Sequence, residues 1–469
     1  MPSIHLEPGS FRDRTSRVFY AGDEVCRALN AEALECWRLL RSKSFYQSFS
    51  KRGLIVGTEE IALDVLSADE RASWAGVLRH GSIPFISYPY EWCFSMLKDA
   101  ALLQLELLTA ALQEDFILKD ATSYNVQWKG TQPVFIDVPS FIPWRPGNPW
   151  SGYRQFCELF LYPLMVQAYR DIPYHPWLRG ALDGISVKDA RRLLAWDFYK
   201  PGVFADVILH ARFQKRYAES PHRLKDDFQE AGFKKDVILA NLSRITNVVD
   251  GLTWKTSPSH WVDYQTLKNY SSDDEAAKKA FVSRILYEKR RRLIWDFGCN
   301  TGDFSLLASA QADHVLALDS DTRVIETLYQ SLRAKQWANI LPLVVNVANL
   351  SAGHGWLGRE RKAFVDRGRP DLILCLALTH HVTIESHIPL KEWIAWLAGF
   401  GSDLIIEFVT PDDSMVQRLL RNKDTSPDDY SREAFEAVLG LHYTVQQRHV
   451  LGSGHRILYA CRPRLKGAT

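Results

Sequence analysis

The sequence predicts an α/β protein whose C-terminal half is a doubly wound, mostly parallel sheet that ends in an antiparallel hairpin. Three observations predict this fold: strand-like and helical segments alternate between residues 293 and 409, a glycine-containing turn follows the first of these strands, and two strand-like runs flank Gly452-Ser453-Gly454. Alternating strands and helices indicate a parallel sheet with helices on both faces. The final pair indicates a hairpin, which requires antiparallel neighbours.

Length and composition limit the classes of protein that this chain can be. A chain of 469 residues is too long for one hydrophobic core and indicates two or three domains. The net charge of +2 gives no general reason to expect a nucleic-acid or membrane partner. The seven cysteines are scattered singly, which is typical of reduced thiols and not of a disulfide framework or a zinc site. Without a signal-peptide pattern or an apolar run of membrane-spanning length, we expect a cytoplasmic protein.

The domain boundaries follow from a break in the periodicity between residues 251 and 260. We predict an N-terminal α+β region over residues 1–250, a linker with one helix over residues 251–288, and a second domain over residues 289–469. The helix before the second domain begins at Ser272-Asp273-Asp274-Glu275, which is a capping box with acids in the first turn.

The stretch from Leu293 to Ser305 predicts a cofactor site. Its apolar strand runs to Asp296, and Gly298 and Gly302 then remove the Cβ atoms that would obstruct a close turn into a helix. A second strand ends about twenty residues later at Asp319, where a carboxylate can accept both hydroxyls of an adenosine ribose. The order of acid, glycine turn and second acid therefore indicates adenosine binding.

The spacing Asp296-x-Gly298-x-Asn300-x-Gly302 resembles motif I of the class I S-adenosylmethionine (SAM)-dependent methyltransferases. Asn300 replaces the usual middle glycine, and asparagine is the non-glycine residue that most readily takes a positive φ. The resemblance implies SAM as the cofactor, a seven-stranded Rossmann-like sheet, and no need for a metal.

The same resemblance assigns roles to the cofactor residues. Gly298 and Gly302 would hold the methionine end and Asp319 the ribose. Asn346, at the tip of the third strand, takes the place where such enzymes hold the adenine amino group.

Two histidines follow the fourth strand, in Thr379-His380-His381. This run resembles the L-H-H sequence that many small-molecule methyltransferases carry at this point. His380 or His381 could act as a general base, because an imidazole titrates near neutral pH and this position lies at the carboxyl edge of the sheet. The alternative is that both histidines only shape the pocket.

Almost the whole chain resembles a bacterial family of SAM-dependent methyltransferases related to a rhizobial nodulation protein. The stretches that carry the resemblance are Phe85-Ile-Ser-Tyr-Pro-Tyr-Glu-Trp, Leu118-Lys-Asp-Ala-Thr-Ser-Tyr-Asn-Val-Gln, Val134-Phe-Ile-Asp, Trp295-Asp-Phe-Gly-Cys-Asn-Thr-Gly, Leu378-Thr-His-His and Ile405-Ile-Glu-Phe-Val. The resemblance implies methyl transfer and leaves the acceptor open among a sugar, a lipid-linked glycan, a small metabolite and a protein. We expect the acceptor group to be a hydroxyl or amine of a small molecule or glycan.

The N-terminal region contains a second motif. Asp120 and Asn125 have the D-x-x-x-x-N spacing, and Asp137 follows twelve residues later, which resembles the catalytic loop and the metal-binding acid of protein and aminoglycoside kinases. In such an enzyme, Asp120 would accept the substrate hydroxyl proton, while Asn125 and Asp137 would hold magnesium. Residues 1–85 contain no glycine-rich loop and no V-A-I-K lysine, although Arg27 lies on a strand before a helix, where that lysine would be.

Three interpretations of the whole chain therefore remain open. The first is a methyltransferase with a degenerate, kinase-like N-terminal region that binds the acceptor or serves as a scaffold. The second is a bifunctional kinase-like and methyltransferase enzyme. The third is a non-catalytic SAM-binding scaffold.

Overall fold

The computed structural model describes residues 4–67, 71–212, 234–255, 271–421 and 430–464. Contacts between residues divide the chain into two compact units. Unit 1 comprises Met1–Lys255 together with Ala352–Lys362, and unit 2 comprises Thr256–Ser351 together with Ala363–Thr469. Residues 352–362 fall inside the predicted domain 289–469 but cluster with unit 1 in the structure. Residues 256–270, which are part of the predicted linker, lie outside the described residues.

Unit 1 combines an antiparallel sheet with helices. Its strands are β1 (Ile4–Leu6), β2 (Ser16–Ala21), β3 (Glu24–Leu29), β4 (Thr58–Ile61), β5 (Gly76–His80), β6 (Phe116–Leu118), β7 (Val126–Lys129), β8 (Gln132–Phe135) and β9 (Phe141–Pro143). Its helices are α1 (Ala31–Leu40), α2 (Ser44–Lys51), α3 (Phe94–Gln113), α4 (Tyr153–Phe156), α5 (Tyr162–Arg170), α6 (His175–Gly180), α7 (Val187–Leu194) and α8 (Lys235–Gly251). The five-stranded sheet has the order β1-β2-β3-β5-β4, and β6 pairs with β9 and β7 with β8.

Alternation along β3 explains how unit 1 places its polar residues. Cys26 and Ala28 point to one face of the sheet, where they pack with Phe19 and Val77 in a buried apolar cluster. Because successive side chains of a strand point to opposite faces, Arg27 projects from the other face. The strand therefore buries apolar side chains on one side and presents a guanidinium on the other.

Residues 352–362 belong to unit 1 through a set of polar contacts. The Arg12 guanidinium donates to both carboxylate oxygens of Glu360, at 2.8 and 2.7 Å. The Lys362 ammonium lies 2.7 Å from the Glu7 carboxylate, and the Arg361 guanidinium lies 4.1 Å from the centre of the Tyr124 ring. This short segment is thus tied to the first strands of unit 1 and to the loop that carries Tyr124.

Unit 2 has the predicted doubly wound sheet. Its strands are β10 (Arg291–Phe297), β11 (Ala312–Asp319), β12 (Ile340–Val344), β13 (Leu372–Cys375), β14 (Asp403–Val409), β15 (Tyr443–Val450) and β16 (Arg456–Pro463). Its helices are α9 (Ser272–Tyr287), α10 (Asp303–Ser309), α11 (Thr322–Ala334), α12 (Leu390–Ala398), α13 (Ser414–Leu420) and α14 (Arg432–His442).

The strand order of unit 2 is β12-β11-β10-β13-β14-β16-β15. The strands from β12 to β14 are parallel, whereas β16 runs antiparallel to both β14 and β15. The predicted mostly parallel sheet with a final hairpin is therefore confirmed, and the topology is consistent with a Rossmann-like methyltransferase fold. The chain leaves β10 toward β11 and later returns on its other side as β13, so the carboxyl end of β10 lies at a topological switch point, where open α/β sheets bind ligands.

Within the described ranges, every helix is too short or too polar to cross a membrane.

Candidate functional site

The glycine turn after β10 has the backbone geometry that its sequence predicts. Gly298, Asn300 and Gly302 have φ angles of 71°, 47° and 88°, respectively. Glycine adopts this left-handed region without a steric penalty, and asparagine tolerates it better than most residues. Asn300 therefore adopts the left-handed conformation at the middle position of this turn. The turn closes where the Gly302 N–H donates to the Cys299 carbonyl at 2.9 Å.

Asp319, the last residue of β11, lies beside this turn. One carboxylate oxygen accepts from the Asn300 N–H and the other from the Asp321 N–H, both at 3.0 Å. Burial raises the pKa of Asp319, while these backbone donors act in the opposite direction. The two N–H groups fix the direction of the carboxylate, and each of its oxygens has capacity for a further hydrogen bond.

Asp296 is the more deeply buried of the two acids at the glycine turn, with 2% of its surface exposed. Its Oδ2 accepts from the Ser305 hydroxyl at 2.6 Å. Burial raises the pKa of Asp296 to about 7, and the Asp319 charge adds to this, while Ser305 and the charge of Lys278 oppose it. A cationic ligand group placed next to Asp296 would favour its ionised form.

Asn346 follows β12 and is exposed. Its Oδ1 accepts from the Ala348 N–H at 2.9 Å, which caps the short 3₁₀ turn Val347–Asn349. The cap uses one lone pair of the Asn346 side-chain oxygen. The second lone pair and the NH₂ group of this side chain could bind a ligand.

A buried network of charges lies on the same sheet. The Lys278 ammonium of α9 contacts the Glu407 carboxylate of β14 at 2.7 Å, with 6% and 0% of the two side chains exposed. Arg456 lies 3.6 Å from Glu407 and donates to Asp413 at 2.9 Å. Burial lowers the pKa of Lys278, and the Glu407 charge opposes this. The network keeps each buried charge next to an opposite one.

The strand register explains why these groups meet. Asp296 pairs with Leu374, which pairs in turn with Ile405, two residues before Glu407. Arg456 pairs with Val409, two residues after Glu407. Residues two apart on a strand share a face, so Asp296, Glu407 and Arg456 project from one face of the sheet.

The two histidines have different surroundings. His380 is fully buried, and within the described chain neither of its ring nitrogens has a hydrogen-bond partner. Burial holds the pKa of His380 well below its usual value, and the charges of His381, Arg456 and Lys278 add to this. His381 retains 15% side-chain exposure, and its Nδ1 lies 2.9 Å from Glu385 Oε2.

The histidines are close to the glycine turn through Leu378. A Cβ atom on Gly298 would lie 3.3 Å from a Leu378 methyl carbon, so the two residues are packed together. The His381 N–H donates to the Leu378 carbonyl at 2.9 Å. The structure therefore anchors the histidine segment at the carboxyl end of β10, next to the predicted cofactor turn.

In unit 1, the structure brings together the three residues of the kinase-like motif. Asp137 accepts from the Arg27 guanidinium at 2.8 Å and from the Asn125 amide at 3.3 Å. Burial raises the pKa of Asp120, and the charge of Asp137 adds to this. In this arrangement one Asp137 oxygen accepts from a guanidinium and the other from an amide. Over the described residues, no group of three or more His, Cys, Asp or Glu side chains could hold a metal ion.

An open surface cavity of about 550 Å³ lies at the end of β5 in unit 1. It is lined by Asp23, Glu24, Val25, Gly57, Thr58, Glu59, Arg79, His80, Gly81 and Ser82. None of the predicted site residues lines this cavity.

Comparison with known proteins identifies the relatives of this chain. No family model matches the sequence. Over 458 residues, the chain is 34% identical to the nodulation protein NoeA of Rhizobium meliloti (strain 1021), and the match covers 96% of this chain and 94% of that protein. The chain belongs to the NoeA family. The predicted relationship to a rhizobial nodulation protein is therefore confirmed.

Solved structures resemble part of this NoeA-family chain. The N-methyltransferase NodS from Bradyrhizobium japonicum WM9 is 15% identical, with a TM-score of 0.32, and the match covers 42% of this chain and 99% of NodS. The magnesium protoporphyrin IX methyltransferase ChlM from Synechocystis PCC 6803, with bound S-adenosyl-L-homocysteine (SAH), is 17% identical, with a TM-score of 0.28 and coverages of 44% and 89%.

In this NoeA-family member, three residues of the site were not predicted from the sequence: Lys278, Glu407 and Glu385. The sequence could have indicated that Glu407 is a buried acid, because it is a single acid inside the apolar strand Ile405-Ile406-Glu407-Phe408-Val409. A buried acid requires a partner. The identity of that partner, Lys278, could not be read from the sequence, because it lies 129 residues away.

Proposed function

We propose that this protein transfers a methyl group from SAM to a hydroxyl or amine of a small molecule or glycan. The observation that carries the proposal is the carboxylate of Asp319, held by the Asn300 N–H beside a left-handed turn at the topological switch of the sheet. A carboxylate at this position suits the two hydroxyls of an adenosine ribose.

Charge supports SAM over a neutral adenosine compound. SAM carries a sulfonium and an α-ammonium group, and the sulfonium makes the methyl carbon electrophilic. Asp296 is buried with a hydroxyl as its hydrogen-bond donor, so a cationic ligand group would stabilise its charged form. Asp319 would hold the ribose and Asn346 the adenine, while Gly298 and Gly302 leave room for the methionine end.

The chain's own residues would act mainly by positioning. Methyl transfer is a single displacement, in which the acceptor must lie in line with the sulfonium bond and water must be excluded. The buried strands β10 and β13 would support the bound cofactor and acceptor. The segment from Leu378 to His381 lies at the carboxyl ends of these strands.

The first test is cofactor binding by the full-length protein, measured by calorimetry with SAM and SAH. We expect Asp319→Ala to weaken binding by at least ~10-fold, because charge-assisted hydrogen bonds contribute roughly 1.5–3 kcal/mol. Asp321→Asn is the matched control, because Asp321 caps α11 through the Arg323 and Val324 N–H groups. Equal affinity in the Asp319 variant would remove the ribose assignment, and no binding by the unmodified protein would overturn the proposal.

The second test identifies the acceptor. Metabolites from a deletion strain and its parent, compared by mass spectrometry, should include a compound that lacks one methyl group in the deletion strain. SAM binding without any such compound, and without transfer of a labelled methyl group to cell extract, would favour the non-catalytic scaffold.

We also propose that unit 1 is a kinase-like module that binds the acceptor or serves as a scaffold, without phosphotransfer. The order of its elements supports this: an antiparallel sheet with α1 between β3 and β4, a long buried α3, and then a loop with Asp120 and Asn125. The Arg27–Asp137 ion pair argues against the bifunctional alternative, because it uses the carboxylate that would bind magnesium.

A further inference from the structure

The pair His381 and Glu385 begins and ends one π-helical turn, His381–Glu385, just after the residue that packs on Gly298. This turn brings Nδ1 of His381 to 2.9 Å from Oε2 of Glu385. An ionised carboxylate only accepts hydrogen bonds, so Nδ1 must carry the proton of a neutral His381. The lone pair of the neutral imidazole is then on Nε2, which is the arrangement of a histidine prepared to accept a proton.

His380 is a poor alternative for this task. It is fully buried, and within the described part of the chain no hydrogen bond orients either of its nitrogens. A proton added to His380 would place a further positive charge close to Lys278 and Arg456, and that arrangement opposes protonation. His380 therefore fits a packing role behind His381, whose ring centre lies 4.3 Å away.

We propose that His381 is the general base of the methyl transfer and that Glu385 is the positioning residue that holds it in the reactive tautomer. The inference rests on the proposed function of unit 2. It extends that function by choosing between the two histidines and by adding an acid that the sequence pattern did not indicate.

For an acceptor hydroxyl, the transfer forms one bond to carbon, breaks one bond to sulfur and moves one proton. The hydroxyl oxygen attacks the methyl carbon of SAM, the carbon–sulfur bond breaks, and its electron pair stays on sulfur to give SAH. The hydroxyl proton passes to Nε2 of His381. In the resulting imidazolium, the Nδ1–H group still donates a hydrogen bond to the Glu385 carboxylate. An acceptor amine follows the same course with nitrogen as the attacking atom. Solvent later removes the proton from His381, which retains partial exposure.

The first measurement is the transfer of a tritiated methyl group from labelled SAM into a metabolite extract of the cells that make the protein. We expect His381→Ala to lower kcat by ~10²-fold or more. We expect Glu385→Ala to lower kcat by roughly 10-fold, with KM for SAM unchanged, because it acts only by orienting the base. Glu385→Gln should recover part of the loss, and the exposed Glu392→Gln serves as the control with unchanged kcat.

The second measurement needs no acceptor. Nitrogen-15 spectra of the full-length protein should show His381 protonated on Nδ1, and Glu385→Ala should shift His381 toward the Nε2-protonated tautomer. An Nε2-protonated His381 in the unmodified protein, or an unchanged tautomer in the variant, would overturn the inference even if the extract contains no acceptor.

Calorimetry with SAH separates this inference from the function on which it rests. If SAH fails to bind the unmodified protein, the proposed function itself is wrong. If SAH binds with equal affinity to the unmodified protein and to Glu385→Ala, and kcat is equal in both, only the role of Glu385 is excluded. Equal SAH affinity with a lowered kcat is the result that we expect.

Discussion

Each unit places an acid at or just beyond the end of a strand, but the two acids have different partners. In unit 2, Asp296 is almost completely buried, and it accepts a hydrogen bond from the neutral hydroxyl of Ser305. In unit 1, Asp137 is partly exposed, and its partner is the charged guanidinium of Arg27. The comparison shows that a strand ending in an acid does not by itself define a site. Asp296 has a neutral hydrogen-bond donor, whereas the charge of Asp137 is offset by a guanidinium.

The pH dependence of stability should show the largest difference between the two acids. Burial raises the pKa of Asp296 to about 7, against an ordinary value near ~3.9 for an aspartate. Between about pH 4 and pH 7, the folded protein therefore holds a proton that the unfolded chain has lost. The free energy of unfolding of unit 2 should fall as the pH rises through this window, in total by on the order of 4 kcal/mol, and then level off.

Hydrogen exchange of the β10 amides at a series of pH values, corrected for intrinsic exchange, measures this fall. Asp296→Asn should remove most of it, because an amide does not titrate. Asp137→Asn is the matched control in unit 1. If the free energy of unfolding of the Asp296 variant still fell by the full amount between about pH 4 and pH 7, another buried group would have to account for the fall.

The Lys278–Glu407 pair gives the next largest effect. Lys278→Met should lower the free energy of unfolding of unit 2 by ~3 kcal/mol, because removal of one member of a buried pair leaves the other charge without full compensation. The neighbouring Lys279→Met is the control, since its pair with Glu275 is exposed and should contribute less than ~1 kcal/mol. Exchange of β14 amides at increasing urea concentration measures both losses. Equal losses in the two variants would mean that Glu407 does not need Lys278 to remain charged.

Features that depend on neighbouring residues could be predicted from the sequence, and contacts between distant residues could not. The turn with Gly298, Asn300 and Gly302 depends on neighbours in the chain, and so does the alternation of strands and helices. These features were predicted correctly. The Arg27–Asp137 pair joins residues 110 positions apart, and the segment 352–362 packs with residues near the other end of the chain. Such contacts depend on how distant elements meet, and no local pattern encodes that.

A smaller effect is expected for the half-buried pair in unit 1. Arg27→Met should lower the free energy of unfolding of unit 1 by roughly 1–2 kcal/mol, between the values typical of exposed and of buried pairs. Arg38→Met, which removes an exposed pair with Glu60, should cause a smaller loss. Exchange of β3 amides is the measurement. A loss as large as that of Lys278→Met would show that Asp137 is as dependent on its cation as Glu407 is.

The smallest expected effect is that of Mg-ATP on unit 1, and it decides between the scaffold and the bifunctional enzyme. A nucleotide site with a Kd of ~10 µM would stabilise the fold by ~2.7 kcal/mol at millimolar ligand. We expect less than ~0.5 kcal/mol for the full-length protein. Magnesium would have to displace the Arg27 guanidinium from Asp137, and residues 1–85 contain no glycine-rich loop that would contact the phosphates. The measurement is the change in exchange protection of unit 1 amides on addition of Mg-ATP, with magnesium alone as the control and SAH as the ligand for unit 2. A clear gain in protection that Asp137→Asn abolishes would contradict the scaffold proposal, since the ion pair would then be a resting arrangement that opens to admit the metal.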